Sequence, residues 1–490
     1  MNNLTTALSN ALSGLMVASG QSAVVSRNVA RAGEVDYTRK QAVLTTNLDG
    51  SARIANITRN SDQQLLSTML SSNSSAAGGT VLQSALTTLS STIGDVEADG
   101  SIAWGIGQMR QSISNFQANP ASGPLASQAM STARTLVTNL NSASAIVQGS
   151  RNDADAGMAQ SVSNINSLLS QFQKLNTAIT SGNSGDGSTV EAMDQRDGIL
   201  KKLSDEIGIK TINQPNNGLA IYTDGGVTLF DVSPRTVAFA QSQSLTAGVD
   251  GNAVYIDGVQ ITGSGAPLPS GAGKLVSFAK IRDQVAPTYQ SQLDEIARNL
   301  INIFAESDQQ TNPALPLATG LFSYSGSPLV PAAANVNSGL AASISLNAKF
   351  DDTKGGNPML LRDGGSNGAA YLYNKTGVAG YQDRLSGLTS AFDQNMTFAS
   401  GTQLPSATTL KDYASGSASW ISAQRTANDN VLQNATALNQ RSIDALSNAS
   451  GVNIDTEMAT LLNLEKSYQA SAKVLTTVDQ MFSSLVAMVK

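Results

Sequence analysis

Residues 1–32 read MNNLTTALSNALSGLMVASGQSAVVSRNVARA, and no charged side chain precedes Arg27. Apolar and small residues recur along this stretch in alternating steps of four and three. This is the heptad pattern of a helix that packs lengthwise against another helix. The spacing predicts one helix over residues 1–32 that ends near Gly33. The residues of this N-terminal stripe are Leu4, Leu8, Ala11, Leu15, Ala18, Ser22, Val25 and Val29.

The C-terminal end of the chain repeats the pattern. The residues of this C-terminal stripe are Leu461, Leu464, Tyr468, Ser471, Leu475, Val478, Phe482, Leu485 and Val489. The two predicted helices carry few of the Glu and Lys residues that usually flank the seam of an isolated coiled coil. We therefore expect the apolar and aromatic members of both stripes to form an assembly interface with other copies of a similar protein. An ordinary intramolecular coiled coil is the alternative.

Two such narrow stripes bury little apolar surface compared with the backbone entropy that two long helices lose on folding. A thin pair of helices would also leave its outer faces in water. The sequence therefore leads to the hypothesis that both ends are disordered or frayed in the free monomer and fold on assembly.

The composition excludes several classes of function. Charged residues make up 13% of the 490 residues, the formal net charge is −6, and the chain has no Cys and no His. Disulfides, thiolate metal sites, and zinc sites or triads built on imidazole are therefore excluded. The negative charge, with no basic run, argues against nucleic-acid binding. We expect no catalytic residue, no cofactor and no metal site, although a glycan-cleaving pair of carboxylates could hide among the 36 acidic residues.

Three short motifs invite a chemical interpretation. The sequence DGGSNG at 363–368 resembles the start of a calcium loop, but the twelfth position is Asn374, so a glycine-rich turn is expected. The sequence DQRD at 194–197 is interpreted as the charged first turn of a helix, with Arg196 pairing locally. Asp455 is expected to cap the last helix.

No targeting segment is predicted. A secretory signal needs a basic residue before its apolar core, whereas the first basic residue is Arg27. Polar residues also interrupt the apolar positions of 1–32 too often for a membrane span. If the protein leaves the cell, we expect export by a pathway that does not depend on a cleaved signal peptide.

Periodicity predicts a mainly α protein with an inserted β region. Short β-branched runs between Asn-Gly and Asp-Gly turns begin near residue 209, and helical spacing returns at Gly273 with Pro287 as a bend or break. The fold class is terminal helices in a coiled-coil inner layer, a long-helix middle domain and a small outer β-domain. The predicted ranges are 1–40 and 451–490 for the inner domain; 41–208, 273–310 and 376–450 for the middle domain; 209–272 for the outer β-domain; and 311–375 for an unassigned irregular or β segment.

Both ends of the chain resemble the bacterial flagellar axial family, which comprises rod, hook and hook-associated proteins. The N-terminal match is ALSGL at 11–15, SRNVARA at 26–32 and YTR at 37–39. Arg27, Arg31 and Asp36 depart from the family pattern. The C-terminal match is VNID at 452–455, EM at 457–458 and YQASAK at 468–473.

Two internal segments narrow the resemblance to the hook–filament junction members of that family. They are DQRD at 194–197 with Leu200, Leu203 and Ser204, and YQSQLDEIA at 289–297 with Leu300. The terminal matches alone would indicate an axial protein of any kind.

The resemblance implies a structural, non-enzymatic part of the flagellum that joins hook to filament as a helical ring of subunits and is required for filament assembly. It implies export through the hollow flagellum by the type III apparatus and an extracellular location. The implied partners are other copies of the chain, the hook protein, the second junction protein, and an export chaperone on the C-terminal helix, with no nucleic acid and no membrane. Another axial protein, such as the hook protein or a filament-side adaptor, is the alternative, and a cell-wall-active hydrolase is a more distant one.

Overall fold

The computed structural model describes residues 2–34, 36–48, 50–92, 100–182, 185–332 and 336–488. Long helices with small sheets dominate the described part, which confirms the predicted fold class. The α-helices are α1 Asn2–Ala30, α2 Gln63–Ser90, α3 Ile102–Ala118, α4 Gly123–Ser181, α5 Gly187–Glu206, α6 Lys274–Lys280, α7 Ala286–Ile303, α8 Leu340–Ser343, α9 Leu360–Asp363, α10 Asp383–Asp393, α11 Leu410–Ser450 and α12 Ile454–Met488. The strands are β1 Lys40–Thr46, β2 Ala52–Arg59, β3 Ile209–Asn213, β4 Leu219–Thr223, β5 Thr228–Phe230, β6 Val237–Ala238, β7 Tyr255–Ile256, β8 Val259–Gln260, β9 Phe322–Ser323, β10 Ser345–Leu346, β11 Met396–Thr397 and β12 Ala407–Thr408.

The two ends of the chain meet as an antiparallel pair, because α1 packs along α12. Gly14 lies at a close approach of the two helices, where a Cβ would be 3.0 Å from Ser471 Oγ. The small residues Gly14 and Ser471 therefore serve the helix pair, since they allow the backbones to approach each other.

A β-hairpin, β1–β2, packs on α1 and joins the terminal helices to the rest of the chain. Its strands are antiparallel, with Lys40 opposite Arg59. From Gln41 onward the hairpin falls within 41–208, the range that the sequence assigned to the long-helix middle domain. The β-branched residues Val43, Ile54 and Ile57 suit a pleated surface, and this local preference prevails over any helical pattern.

The middle of the molecule is built from long helices. The 59-residue helix α4 spans about 90 Å at the α-helical rise, and α3 and α5 pack against it. Antiparallel packing of α2 against α11 places Ser72 beside Asn439 and Gln83 beside Asn428. One apolar core joins α3, α4, α7, α10 and α11, and a second joins α2, α4, α5 and the sheet β3–β4–β5. Because α4 contributes to both cores, it connects the two halves of this region.

The inserted β region contains two antiparallel three-stranded sheets, β3–β4–β5 and β6–β7–β8. The predicted change of period near residue 209 coincides with the start of β3. Asp257 and Gly258 form the turn between β7 and β8 with φ values of 46° and 83°. Two positive φ angles are what a two-residue hairpin turn of the primed type requires.

Helical structure returns at Lys274 but is interrupted before Pro287. Residues Ile281–Val285 form a π-helical turn between α6 and α7. Proline has no N–H and its ring would clash with the carbonyl four residues earlier, which is that of Asp283, so the turn widens there. The expected irregularity at Pro287 is confirmed.

The segment 311–375, which the structure describes except for residues 333–335, is mostly irregular and holds the short helices α8 and α9 besides a little β-structure. Its β9 and β10 pair antiparallel, and Gly364 and Gly365 have positive φ. The carboxylate of Asp363 is bound by Arg362 at 2.7 Å and by the amide of Asn374 at 2.6 Å. The sequence at 363–368 therefore forms a turn held by protein groups.

Helix α7 organises the middle of the molecule through buried polar side chains. Gln290 accepts a hydrogen bond from Ser144 of α4 at 2.9 Å, and Gln292 accepts one from Ser417 of α11 at 2.7 Å. Glu295 forms a buried ion pair with Arg298 at 2.8 Å. Buried polar groups must be paired, so Gln290 fixes the position of α4 and Gln292 that of α11.

Of the helices described, none has the length and apolar character that crossing a bilayer requires.

Asp294 of α7 is 1% exposed, and burial raises its pKa to about 6. The carboxylate accepts hydrogen bonds from the backbone N–H groups of Gly339 and Ala341 and from Gln290. These donors favour the ionised form but do not cancel the desolvation penalty. Because the pKa in the folded state exceeds that in the unfolded state, the contribution of Asp294 to stability is present at low pH and is lost as pH rises from about 4 to about 6.

We predict that the free energy of unfolding of the wild type, relative to Asp294→Asn, falls by about 2 kcal/mol between about pH 4.5 and about pH 7. The Asn variant has no titrating group at this position, so the difference isolates Asp294. Chemical denaturation followed by fluorescence measures it, since Trp420 packs against the same core. The exposed Asp153→Asn change is the control, and its pH profile should run parallel to that of the wild type because it retains Asp294. A wild type and Asp294→Asn variant with parallel pH profiles would contradict the prediction.

Candidate assembly site at the base of the terminal helices

The stripe residues of α1 and α12 face each other only in part. The structure buries Ala11, Ala18, Val25 and Val478, half-buries Leu4, Leu8, Leu15, Val29, Leu461, Leu464, Leu475 and Phe482, and leaves Tyr468 and Leu485 exposed. Val489 lies outside the described residues. The seam within one chain therefore covers one face of each helix incompletely.

Further large apolar side chains lie outside the stripes and are exposed. On α1 these are Leu12 and Met16, which are 50% and 62% exposed. On α12 they are Ile454, Met458, Leu462, Val474, Met481, Val486 and Met488. The heptad search missed them because they belong to other faces of the same helices. Their number on two long helices exceeds the scattered single residues that are usual on a protein surface.

A buried polar network fixes the base of the helix pair. Asn28 is completely buried, and its amide donates to the backbone carbonyl of Lys40 and to Glu457 Oε2, both at 2.9 Å. Its carbonyl oxygen accepts from the hydroxyl of Tyr37 at 2.9 Å and the backbone N–H of Lys40 at 3.1 Å. Glu457 is 1% exposed and accepts from Arg39 at 2.6 Å. The N-terminal and C-terminal motifs of the sequence thus meet at one amide.

The DQRD motif completes this base from α5. Asp194 binds Lys40 Nζ at 3.0 Å, Arg59 at 3.3 Å and the hydroxyl of Thr38 at 2.5 Å. Asp197 binds the same guanidinium of Arg59 at 2.5 Å. The motif therefore connects the hairpin to the middle of the molecule.

The predicted role of residues 194–197 as the first turn of a helix is wrong. Helix α5 begins at Gly187, so the motif lies in its middle. Arg196 does not pair locally; it donates to Asn176 at 3.0 Å and to the carbonyl of Asn217 at 2.7 Å, and burial lowers its pKa to about 10. The sequence pattern did not identify the partners of residues 194–197, because those partners are distant in sequence.

The cap predicted at Asp455 is also wrong. The side chain of Asn453 accepts a hydrogen bond from the N–H of Thr456 at 3.0 Å, and α12 begins at Ile454. Asp455 lies in the first helical turn together with Glu457, where acidic residues favour the helix dipole. Gly451, where α11 ends, separates it from α12 as predicted.

Two further charged residues extend the base. Glu191 of α5 binds Arg31 at the end of α1 and Lys40 Nζ at 2.8 Å. The hydrogen bond from Arg31 holds the pKa of Glu191 below its usual value. Sequence reasoning did not find Glu191, although its position one helical turn before Asp194 on the same face was a usable signal.

A groove of about 540 Å³ opens beside this network. Its walls come from residues 32–34 and 36–38, from the start of α2, from α5 and from the corner between α11 and α12. Within the part of the chain that the structure describes, no group of three or more acidic side chains is arranged to hold a metal ion.

Comparison with known protein families gives two matches. Residues 86–312 match the family described as the flagellar hook-associated protein FlgK helical domain. Residues 445–488, which include the end of α11 and all of α12, match the family described as the flagellar basal body rod FlgEFG protein C-terminal region. A search of curated proteins gave no match.

Among solved structures, the fold is similar to that of the flagellar hook junction protein FlgK from Burkholderia pseudomallei. The TM-score is 0.57 at 14% sequence identity, and the match covers 77% of this chain and 99% of the other. At this identity the likeness concerns the fold. The family matches, which cover the helical middle and the C-terminal helix, agree with it and support a flagellar hook-associated protein.

Proposed function

We propose that the chain joins the hook to the filament as a helical ring of subunits and that the apolar faces of α1 and α12 hold the ring together. The observation that carries this proposal is the pairing of α12 with α1 along one face only, while residues such as Leu462, Met481 and Val486 remain 51–59% exposed. Exposed apolar area of this kind marks an interaction surface. The partners are other copies of the chain, the hook protein on one side and the second junction protein on the other.

The two stripes form the centre of the proposed interface. Its residues are Leu4, Leu8, Ala11, Leu15, Ala18, Val25, Val29, Leu461, Leu464, Tyr468, Leu475, Val478, Phe482 and Leu485. Incomplete burial of most of these residues within one chain supports the proposal, because neighbouring subunits would add the missing contacts.

The proposed division of the chain keeps the ranges expected from the sequence. An inner domain is formed by 1–40 and 451–490, a middle domain by 41–208, 273–310 and 376–450, and an outer β-domain by 209–272. Packing of α1 on α12 and the separate sheets of 209–272 support this division. The contact of hairpin β1–β2 with α1 favours adding residues 41–59 to the inner domain.

The protein is proposed to be exported through the flagellum without a cleaved signal peptide and to act outside the cell. A chaperone that covers α12 before export would shield its exposed apolar residues from aggregation. The role is structural and no reaction is assigned. The alternative of a glycan hydrolase requires two available carboxylates, whereas Asp194 and Asp197 of the base are both bound by Arg59.

We predict that Leu475→Asp blocks filament assembly. The carboxylate would lie in the seam without a partner, which costs several kcal/mol and so weakens the ring severely. A strain that lacks the chromosomal gene, supplied with the variant, should show hooks without filaments by electron microscopy and should release the variant into the medium. Leu315→Asp, in the irregular segment and 47% exposed, is the control and should support filaments. Normal filaments with Leu475→Asp would refute the proposed interface.

Amide hydrogen exchange should show weak protection of residues 5–30 and 458–488 in the purified monomer. The reason is that the two-helix pair buries little apolar surface and gains its remaining contacts in the ring. In isolated hook–filament junctions the same amides should become protected. Strong protection at both ends of the free monomer would contradict this mode of assembly.

Asn28→Ala should loosen the start of α12 from the rest of the molecule. It removes the shared partner of Lys40, Tyr37 and Glu457 in a buried site, at a cost of roughly 1–3 kcal/mol. The expected result is faster proteolysis between α11 and α12 and a lower unfolding midpoint. Asn463→Ala, on the exposed surface of α12, is the matched control. Equal proteolysis of the two variants would show that Asn28 does not hold the base.

A further inference from the structure

Helix α12 carries a second stripe that points away from α1. Its members are Met458, Leu462, Lys466, Gln469 and Lys473, spaced by four, four, three and four residues, so they share one helical face. All five are exposed, and the side chains of Met458 and Leu462 are 44% and 56% accessible. This basic stripe combines two ammonium groups with apolar side chains. Beside it lies one carboxylate, that of Glu465, which accepts a hydrogen bond from Gln469 at 3.2 Å. None of the five residues is a member of the C-terminal stripe.

The groove at the base of the terminal helices has the opposite charge. Its carboxylates are Glu34, Asp36, Asp62, Asp197 and Asp444, and its one ammonium group is that of Lys201. Arg31 pairs with Glu34 and Arg59 pairs with Asp197, so the excess negative charge comes from the other three. Asp36 and Asp444 are exposed, and the nearest cation to Asp36 is Lys201 at 3.6 Å. The groove therefore presents carboxylates that a cation from outside can approach.

An unpaired hydroxyl lines the same groove. Ser450 is 3% exposed and its Oγ has no hydrogen-bond partner among the described residues. A buried hydroxyl without a partner is uncommon, because its desolvation is not compensated. Ser450 lies next to Gly451 at the corner between α11 and α12, and no group among the described residues uses the acceptor lone pairs of its hydroxyl oxygen.

Apolar side chains line the groove between the carboxylates. Leu66 and Met69 of α2 and Ile443 and Leu446 of α11 contribute to its walls. Its volume of about 540 Å³ is in the range that accommodates a ligand of several side chains. The combination of apolar walls and carboxylates matches the combination of apolar and basic residues in the stripe of α12.

The stripe cannot enter the groove of its own chain. Residues 451–453, at the start of α12, line the groove, whereas Lys466 and Lys473 lie about 20 Å and about 30 Å further along a continuous helix. A second molecule must therefore supply the cations. Another copy of this chain carries the matching stripe.

We propose that the acidic groove of one subunit receives the basic stripe of α12 from a neighbouring subunit. This proposal rests on the proposed ring. It specifies which two surfaces of neighbouring subunits meet, and it assigns the register of their contact to charge. The α1–α12 seam supplies apolar area, while the pairing of stripe and groove specifies the neighbour. Complementary charges at an interface fix register and exclude wrong contacts.

Charge exchange tests the proposal. The double variant Lys466→Glu/Lys473→Glu and the double variant Asp36→Lys/Asp444→Lys should each reduce the number of filaments per cell on the order of tenfold, because like charges would face each other. The four changes combined in one chain should restore filaments, since the attraction is then reversed. Asp153→Lys/Lys411→Glu, at exposed positions outside both surfaces, is the control and should leave filament number unchanged. Secretion of each variant into the medium and its circular dichroism show that it is exported and folded.

Cross-linking gives a direct readout, because the chain has no cysteine. Subunits carrying only Asp444→Cys and subunits carrying only Lys473→Cys are expressed together, and a short bismaleimide is applied to isolated hook–filament junctions. The expected product is a dimer that requires both variants; mixtures of Asp153→Cys with Lys473→Cys should give none.

The outcomes separate this inference from the proposed function. Filaments lost with Leu475→Asp but retained by both charge doubles would overturn the stripe-and-groove contact and leave the ring intact. Failure of the combined variant to restore filaments, or a cross-link to a different protein, would also overturn it. Filaments retained by Leu475→Asp and by the charge doubles together would reject both proposals.

Discussion

The buried side-chain amide of Asn28 is the interaction on which the arrangement of the chain ends depends. Its NH2 group donates hydrogen bonds to the backbone carbonyl of Lys40 and to Glu457, and its oxygen accepts hydrogen bonds from the hydroxyl of Tyr37 and the backbone N–H of Lys40. An amide removed from water must keep these partners, so the end of α1, the start of the hairpin and the start of α12 are positioned together. Beyond this point the two helices share only a partial seam. They are therefore able to contact other subunits while their bases stay attached to the middle of the molecule.

The few charges of the chain are distributed unevenly, and this separates two kinds of contact. Helix α1 carries one charged residue, Arg27, whereas Lys40, Arg59, Asp194 and Glu457 gather at the base of the terminal helices. Contacts along the seam depend on shape and apolar area and are insensitive to salt. Exposed charges, such as those of the groove and of the basic stripe, are screened over about 8–10 Å at physiological ionic strength. Order of assembly and choice of neighbour can therefore respond to different physical forces.

Helix α7 has the corresponding organising role in the middle of the molecule. Its buried side chains Gln290, Gln292, Asp294 and Glu295 each hold a different segment, and its apolar side chains belong to the larger core. Such a satisfied network is specific, because replacing one member leaves its partner buried and unpaired. The result is a middle region whose helices keep one arrangement, as a connecting element between hook and filament requires.

The sequence by itself determined the long helices, the β insertion after residue 209, the irregularity at Pro287, the two terminal stripes and the resemblance to flagellar axial proteins. These features follow from periodicity and from local backbone chemistry, which a linear pattern records. The hairpin β1–β2, the place of the DQRD motif within α5, the cap at Asn453 and the groove were decided only by the tertiary structure. Asn28 and Glu457 are 429 positions apart, and Asp194 meets Arg59 across 135. Pairings at such distances depend on how the whole chain packs, and no local pattern specifies them.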